Sequence, residues 1–451
     1  MNGTFLSQNV ALVLLITAFF LGGCDNGNGN TQPNNDSATK VEQADVRHHP
    51  PPFHASIKYH NGEKLISYNF DPPLKDVPLE EIQRRVKADD PVALYELGRR
   101  HIDGEGVKRD VPQGLRLTRY SANKGHVEAQ SDLGSFYDYG ISLPKNPEQA
   151  IYWYRKAAEQ GHAVAQHNLG EVYAAGRGVA KDPKEAFFWI HKAAHQGLSP
   201  SQAEIGFYYD TGFGIKQDKT QAHKWYHRAA EQGEPNAQYN IGASYDNGDG
   251  VPTDQVEATK WYRLAAEQGM AKAQHALGVQ YAFGLGVSKD RAEALKWYSK
   301  AAEQGYDMAQ YNLGFLYENG EGVRQDYSMA LQWYTKAAQQ GNPLAQLNLG
   351  NMYLHGDGVN VDYGKAYSLF KQSAMQGELL AIFNIGQMHT NGDEVQKSNI
   401  MAFAHYQLAL ATEDSDIKEH YNTLKSQMTP AEIQAGEQES RKLMREYGVG
   451  Q

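Results

Sequence analysis

The chain of 451 residues lacks several features that commonly reveal what a protein does. It has one cysteine, Cys24, so a structural disulfide within the chain is impossible. Its 43 Lys and Arg residues are outnumbered by 53 Asp and Glu residues, a balance that argues against a nucleic-acid-binding protein. No apolar run reaches the roughly 20 residues that a membrane-spanning helix needs. The fold must therefore be stabilised by packing alone.

Sequence motifs of enzyme chemistry are absent as well. We find no phosphate-binding glycine loop, no G-x-S-x-G nucleophile turn and no H-E-x-x-H metal helix. We therefore expect a protein that is not an enzyme and uses no cofactor and no metal ion. The stretch "HHPPPFH", with His48, His49 and His54, is either a weak metal site or a solvated Pro-rich linker. Its composition favours the linker.

The first 23 residues have the pattern of an export signal. Residues 10–21 are almost entirely apolar, a length typical of the core of a signal peptide. The following "LGGC" resembles the bacterial lipobox, in which the cysteine carries lipid and becomes the mature N-terminus. This resemblance implies lipidation of Cys24, although no Lys or Arg precedes it; the alternative is a plain secretory signal. Asp25 favours the inner over the outer membrane by the enterobacterial sorting rule.

Residues 24–77 are predicted to form a tether between this anchor and the rest of the protein. Residues 25–45 are rich in Asn, Gly, Ser and Asp and have almost nothing to bury, which predicts disorder. Apolar and polar residues alternate on both sides of Asn61-Gly62, a pattern that predicts a short β-hairpin.

From about Pro78 the sequence repeats every 36 residues. A glycine preceded by Leu or Ile recurs nine times at this spacing, and we call this set the row glycines. A tryptophan recurs six times at the same spacing, which indicates stacked structural units rather than catalysis. The row glycines are Gly98, Gly134, Gly170, Gly206, Gly242, Gly278, Gly314, Gly350 and Gly386, and the tryptophans are Trp153, Trp189, Trp225, Trp261, Trp297 and Trp333.

Each unit has the signals of two short helices. Around Gly278, the first helix is expected to end at Gly284 in the left-handed conformation. Asp290 is expected to cap the second helix, with Glu293 completing a capping box. Glycine inside a helix costs about 1 kcal/mol relative to alanine, so the row glycines predict a neighbouring helix too close for a side chain. Aromatic residues such as Trp297 are predicted to fill the core around this contact.

The pattern A-x-x-x-L-G-x-x-Y-x-x-G-x-G-V-x-x-D followed by A-x-x-W-Y-x-x-A-A-x-x-G closely resembles the Sel1-like repeat family, a relative of tetratricopeptide repeats. The resemblance implies an all-α fold, a right-handed α/α superhelical solenoid of about nine 36-residue helix-turn-helix repeats over residues 78–411. Residues 412–451 are predicted to form a C-terminal helical cap, because "TPAE" at 429–432 is a strong helix start. The first and last units depart from the pattern, as capping units do.

Family members commonly act as adaptors, which implies a non-enzymatic scaffold that binds proteins of the bacterial cell envelope. The alternative is a factor that binds or exports an envelope glycan. The chain is expected to be monomeric, attached to a membrane through its lipid and facing the periplasm. By the resemblance, the first helices line the concave surface, where an aromatic row lies beside an asparagine row. The asparagines are either binding residues or a structural ladder. The predicted partner-binding residues are Tyr239, Asn240, Asp246, His275, Tyr311, Asn312 and Glu318.

Overall fold

The structure, a computed structural model, describes residues 74 and 76–449 together with the backbone of two short strands, 55–60 and 63–68. Contacts within the chain divide it into two units, Met1–His49 and Pro50–Gln451, and every described residue belongs to the second. The predicted signal peptide, Cys24 and the Asn-rich segment of the tether lie outside the described residues.

The two strands flank the Asn-Gly dipeptide that the sequence marks as a turn. Strand β1 spans Ala55–His60 and strand β2 spans Glu63–Tyr68. They pair antiparallel, with Ala55 opposite Tyr68 and His60 opposite Glu63.

The rest of the described chain is helical. Helix α1 (Leu79–Lys87) precedes nine helix pairs, and two further helices follow them, so the pairs form the α/α solenoid that the repeat pattern predicts. None of the described helices has the length and apolar content that crossing a bilayer requires. The pairs are α2 (Pro91–Asp103) and α3 (Val111–Asn123), α4 (Val127–Tyr139) and α5 (Pro147–Glu159), α6 (Ala163–Ala175) and α7 (Pro183–His195), α8 (Ser199–Thr211) and α9 (Lys219–Glu231), α10 (Pro235–Asn247) and α11 (Gln255–Glu267), α12 (Ala271–Phe283) and α13 (Arg291–Glu303), α14 (Asp307–Asn319) and α15 (Tyr327–Gln339), α16 (Pro343–His355) and α17 (Tyr363–Ala374), and α18 (Leu379–Asn391) and α19 (Asn399–Ala409).

Residues at both ends of the turn fix the connection between the two helices of each pair. Gly284 ends α12 with a φ of 76°, and the Asp290 side chain accepts the Glu293 N–H at 3.0 Å to begin α13. The predicted reciprocal half of the capping box is wrong. The Asp290 N–H already donates to the Tyr281 carbonyl at 2.9 Å, and the Glu293 carboxylate accepts from Lys296 at 2.7 Å instead. The N-cap therefore ties the second helix back to the first.

An aromatic ring, not a crossing backbone, fills the space above most row glycines. A Cβ on Gly278 would lie 2.6 Å from two ring carbons of Tyr298, the residue after Trp297 on the second helix. Two row glycines meet backbone as well: a Cβ on Gly98 would lie 3.0 Å from the Gly114 carbonyl oxygen, and one on Gly170 would lie 3.2 Å from the Ala186 carbonyl oxygen. The expectation of a close contact is thus confirmed, but its partner is a side chain. The same contact joins Gly134 to Tyr154, Gly206 to Tyr226, Gly242 to Tyr262, Gly314 to Tyr334, Gly350 to Phe370 and Gly386 to Tyr406, while Ile190 takes this place above Gly170.

The tryptophans also contribute to the core, as predicted, but unevenly. Trp297 is only 6% exposed, whereas Trp261 is half-buried, as is Trp333. The Lys300 ammonium lies 3.9 Å from the centroid of the Trp297 ring, close enough for a cation–π contact. Trp153, Trp189 and Trp225 are buried as well.

A ladder of glutamines, not evident from the sequence, bonds within each repeat and to the repeat before it: a buried glutamine on the first helix meets an exposed one at the end of the second. Gln274 on α12 donates to the Ala266 carbonyl at the end of α11, 3.1 Å away. Gln304 at the end of α13 donates to the Gln274 side-chain oxygen at 2.8 Å. Because a buried amide without partners is destabilising, these bonds favour one alignment of neighbouring repeats. Equivalent pairs form between Gln160 and Gln130, Gln196 and Gln166, Gln232 and Gln202, Gln268 and Gln238, Gln340 and Gln310, and Gln376 and Gln346.

Two helices follow the last pair, α20 (Ser415–Ser426) and α21 (Pro430–Tyr447). The Thr429 hydroxyl and the Glu432 carboxylate form the capping box at the start of α21. This helix packs along α19, where Gly436 lies against the Phe403 ring. Helix α21 therefore covers the apolar face that a tenth repeat would otherwise bury.

The row glycines yield a stability prediction. We expect Gly278→Ala to lower the melting temperature, because overpacking against Tyr298 costs about 1–3 kcal/mol and outweighs the helix propensity gained. Gly364→Ala is the matched control, since a Cβ on this helical glycine meets nothing nearer than 3.5 Å. We expect that variant to be neutral or more stable. Equal melting temperatures for the two variants in circular dichroism would contradict the packing assignment.

Candidate protein-binding surface

The predicted partner-binding residues all lie on first helices, in three consecutive repeats. Helix α10 carries Tyr239, Asn240 and Asp246, helix α12 carries His275, and helix α14 carries the other three. We call the surface made by these helices the first-helix face. The repeats place the side chains in register along this face, but burial divides them into two groups.

Tyr239, Asn240 and Glu318 are half-buried and retain some exposed surface. The Tyr239 ring packs against Tyr262 with 5.5 Å between ring centroids, and the Lys272 ammonium lies 4.9 Å from its centroid. The Asn240 side chain makes no hydrogen bond within the described part of the chain. These three side chains therefore remain available to a partner.

The expectation that His275 and Tyr311 offer their rings to a partner is corrected by the structure. Tyr311 is 2% exposed and packs against Tyr334, with 5.9 Å between ring centroids. His275 and Asn312 are buried too, and the Asn312 amide lies 2.9 Å from His275 Nε2. Their repeat neighbours cover them, so they stabilise the contact between repeats instead of binding at the surface.

The asparagine row contains both structural and free side chains, the two alternatives that the sequence left open. Asn312 bonds to a side chain of the preceding repeat, and Asn384 does the same by donating to Asn351 at 2.9 Å. Asn348 donates to the Tyr334 hydroxyl within the neighbouring pair, also at 2.9 Å. These amides are structural, though they bond to side chains and not to backbone. Asn240 is the predicted site asparagine that remains free among the described residues.

Carboxylates of the first-helix face are paired with tyrosines of the second helices. Tyr262 donates to Asp246, which is buried, at 3.2 Å, and Tyr334 donates to Glu318 at 2.6 Å. Neither carboxylate forms an ion pair with a described lysine or arginine. Burial raises the pKa of Asp246 and of Glu318, more than hydrogen bonds lower it, those from Gln255 and Tyr262 at Asp246 and that from Tyr334 at Glu318. Two further carboxylates of this face accept from tyrosines of first helices: Asp132 from Tyr95 and Glu204 from Tyr208, both at 2.6 Å.

One exposed aromatic of this face was not among the predicted site residues. Phe207, one residue after the row glycine of α8, is 49% exposed. The sequence places its position on the first-helix face but gives no signal of exposure. Phe207 thus adds apolar area beside the polar side chains.

The fold and this face define a class: an α/α solenoid of helix pairs whose first helices present a surface of polar and aromatic side chains. Nine consecutive segments of the chain match the Sel1 repeat, and the chain belongs to the Sel1 repeat family. Proteins of this family are generally protein-interaction scaffolds. Helix α1 lies before the first segment. The segments are 91–126, 127–162, 163–198, 199–234, 235–270, 271–306, 307–342, 343–378 and 379–411.

Two solved structures resemble this chain along most of its length. One is a protective antigen present in uropathogenic Escherichia coli strains, which displays an SLR fold. It is 29% identical, with a TM-score of 0.51, over 82% of this chain and 95% of the antigen. The other is a Sel1 repeat protein from Oxalobacter formigenes. It is 35% identical, with a TM-score of 0.54, over 70% of this chain and 92% of that protein.

The buried His275 yields a pH prediction. Burial lowers the pKa of His275 from 6.5 to about 4, with a smaller contribution from the Lys272 charge. The unfolded chain therefore binds this proton before the folded chain does. The stability contributed by neutral His275 is full above about pH 6.5 and is lost as pH falls towards 4.

We expect His275→Gln to show a smaller drop in melting temperature between pH 7 and pH 4.5 than the unsubstituted protein, measured by circular dichroism. The amide can still bond to Asn312 but does not titrate. His355→Gln, at an exposed position, is the control and should leave the drop unchanged. The same drop in all three proteins would show that His275 is not buried as a neutral ring.

Proposed function

We propose that this chain is a non-enzymatic scaffold that binds one or more proteins of the bacterial cell envelope through its first-helix face. The observation that carries the proposal is the pair Tyr239 and Asn240, half-buried side by side on α10 with part of each side chain at the surface, and with the Asn240 amide unbonded among the described residues. An amide of this kind can pair with the backbone of an extended peptide, while a rigid ring supplies contact area with little loss of entropy. Membership of a family of interaction scaffolds supports the same function.

A protein partner is favoured over the alternative, an envelope glycan that is bound or exported. Glycan sites commonly offer an open aromatic face. Here the indole rings are buried or half-buried, and cations cover several of them, as Lys300 covers Trp297 and Lys336 covers Trp333, each at 3.9 Å. The tryptophans therefore present no stacking platform on the second helices.

The partner segment is expected to be basic or neutral. Glu318 is half-buried and unpaired with any described lysine or arginine, and Glu204 is half-buried on the same face. Carboxylates along a binding surface favour cationic partners and disfavour acidic ones. The formal net charge of −10 acts in the same direction.

The proposed scaffold is a monomer held at a membrane by lipid on Cys24 and facing the periplasm, with Asp25 favouring the inner membrane. The signal-like residues 1–23 and the adjoining "LGGC" support this anchor. The Asn-rich segment that follows would act as a spacer between the lipid and the repeats. Stable attachment needs more than one acyl chain, because a single chain binds membranes only marginally.

The binding surface can be tested with Tyr239→Ala. We expect this variant to lose at least about tenfold in affinity for the envelope partner, as a contact residue of an interface does, and to keep its helical signal. The partner is identified by crosslinking from native membranes through a photoreactive residue at position 240. Tyr152→Ala removes an equally large ring from an exposed second-helix position and should bind normally. If both variants retain the partner, it docks elsewhere; capture of purified peptidoglycan instead of a protein would favour the glycan alternative.

The anchor can be tested with Cys24→Ser. We expect metabolic labelling with a fatty-acid analogue to mark the unsubstituted protein and not the variant, and the variant to appear in the soluble fraction. Lipid attaches through the thiol sulfur, which serine lacks. An unlabelled, soluble parent protein would instead support a plain secretory signal.

A further inference from the structure

Three side chains from two neighbouring repeats converge on the first-helix face. His167 and Glu171 are one turn apart on α6, and Glu204 extends from α8, the first helix of the next repeat. One ligand atom of each residue, a ring nitrogen or a carboxylate oxygen, lies within 4.8 Å of the other two. Each of these atoms can ligate a divalent cation.

The histidine of this cluster is buried and incompletely bonded. His167 is 2% exposed, and its Nε2 has no hydrogen-bond partner among the described residues. Glu171 Oε1 lies 3.7 Å from that nitrogen, and Glu204 Oε2 lies 3.6 Å from Nδ1 of the same ring. These separations are too long for hydrogen bonds, and they run to the two different nitrogens of the ring. With one ligand atom taken from each residue, the three atoms lie within 4.8 Å of one another, so small side-chain shifts would bring them around one ion. An unpaired buried nitrogen is destabilising. A ligand bound between the three groups would remove this destabilisation.

Neighbouring side chains hold the ring and the carboxylates as the outer shell of a metal site does. The Ser201 hydroxyl lies 3.0 Å from His167 Nδ1, which leaves Nε2 for the ion. Tyr208 donates to Glu204 Oε1 at 2.6 Å, which leaves Oε2 directed at the ring. Arg177 is bonded to Asp138 at 3.1 Å and lies 3.9 Å from Glu171 Oε2, away from Oε1.

The same position three repeats later serves as an internal comparison. There His275 replaces His167, Val279 replaces Glu171, and Asn312 replaces Glu204. The Asn312 amide lies 2.9 Å from His275 Nε2 and satisfies it. The ring nitrogen is thus paired where the carboxylates are missing and unpaired where they are present.

We propose that His167, Glu171 and Glu204 bind a divalent transition-metal ion, with Zn²⁺ the best match. One imidazole and two carboxylates suit zinc, whereas the nitrogen ligand disfavours Mg²⁺ and Ca²⁺. Three protein ligands leave a coordination position for water. The Glu171 side chain is 36% exposed, so this edge of the site reaches solvent. The ion would join two repeats, and its binding does not depend on the proposed partner.

Isothermal titration of the tag-free, full-length protein with ZnCl₂ tests the proposal. We expect one tight site per chain, a higher melting temperature with Zn²⁺, and no such site for MgCl₂. Glu171→Gln and Glu204→Gln should each weaken binding at least tenfold, because even outer-shell substitutions weaken metal sites by about 10- to 100-fold. Glu171 is exposed enough that its variant should fold normally.

Two controls make the outcome decisive. His275→Gln should bind Zn²⁺ as the parent does, because its surroundings lack the carboxylates. A His48→Ala/His49→Ala/His54→Ala variant should also keep the site. The proposal is overturned if neither glutamine variant weakens binding, if the His48, His49 and His54 changes abolish it, or if the parent binds no Zn²⁺.

Discussion

The side chain that each second helix places over the row glycine of its first helix, an aromatic ring in seven of the nine pairs, sets the spacing on which the rest of the solenoid depends. At Gly278 the Tyr298 ring occupies the volume that a side chain would take. Glycine weakens a helix intrinsically, so its nine-fold recurrence is compensated by burial of the side chain that covers it, a large ring in seven of the pairs. Ile190 above Gly170 shows that shape and volume, not aromaticity, satisfy this contact.

The side chain over the row glycine sets the spacing within a helix pair. Hydrogen bonds then determine how consecutive pairs are aligned. The Gln274 side chain bonds to Ala266 of the preceding repeat and to Gln304 of its own repeat, and the Asp290 N–H bonds to the Tyr281 carbonyl within that repeat. Hydrophobic contacts are tolerant of small shifts, but a buried amide with two fixed partners is not. The apolar rows therefore stabilise the stack, and the glutamine ladder makes its alignment specific.

The repeats differ from one another on the first-helix face, and the differences have distinct consequences. Asn312 satisfies His275 and buries it, so that position serves packing. His167 instead meets two carboxylates at distances too long for hydrogen bonds, which is why a metal ion is proposed there. Tyr239 and Asn240 are only half-buried and form the proposed contact with a partner. One scaffold thus supports three local chemistries through changes at a few positions.

Much of the fold was predictable from the sequence because its determinants are local and repeated. Helix ends follow from residues such as Gly284 and Asp290, whose conformational and capping preferences act within a single turn of chain. The 36-residue spacing of tryptophan and glycine then identifies the core rows and the stacking of pairs.

Exposure on the first-helix face was decided only by the tertiary structure. Tyr239 and Tyr311 occupy the same position two repeats apart, yet Tyr239 is half-buried and Tyr311 is fully buried. The approach of His167 to Glu204, 37 residues later, likewise depends on how consecutive first helices lie beside each other. The sequence by itself determined which residues form each repeat, because that depends on short-range preferences. Which side chains meet between repeats, and which remain open to solvent, depends on the neighbouring helices that cover them, and only the packed structure specifies those.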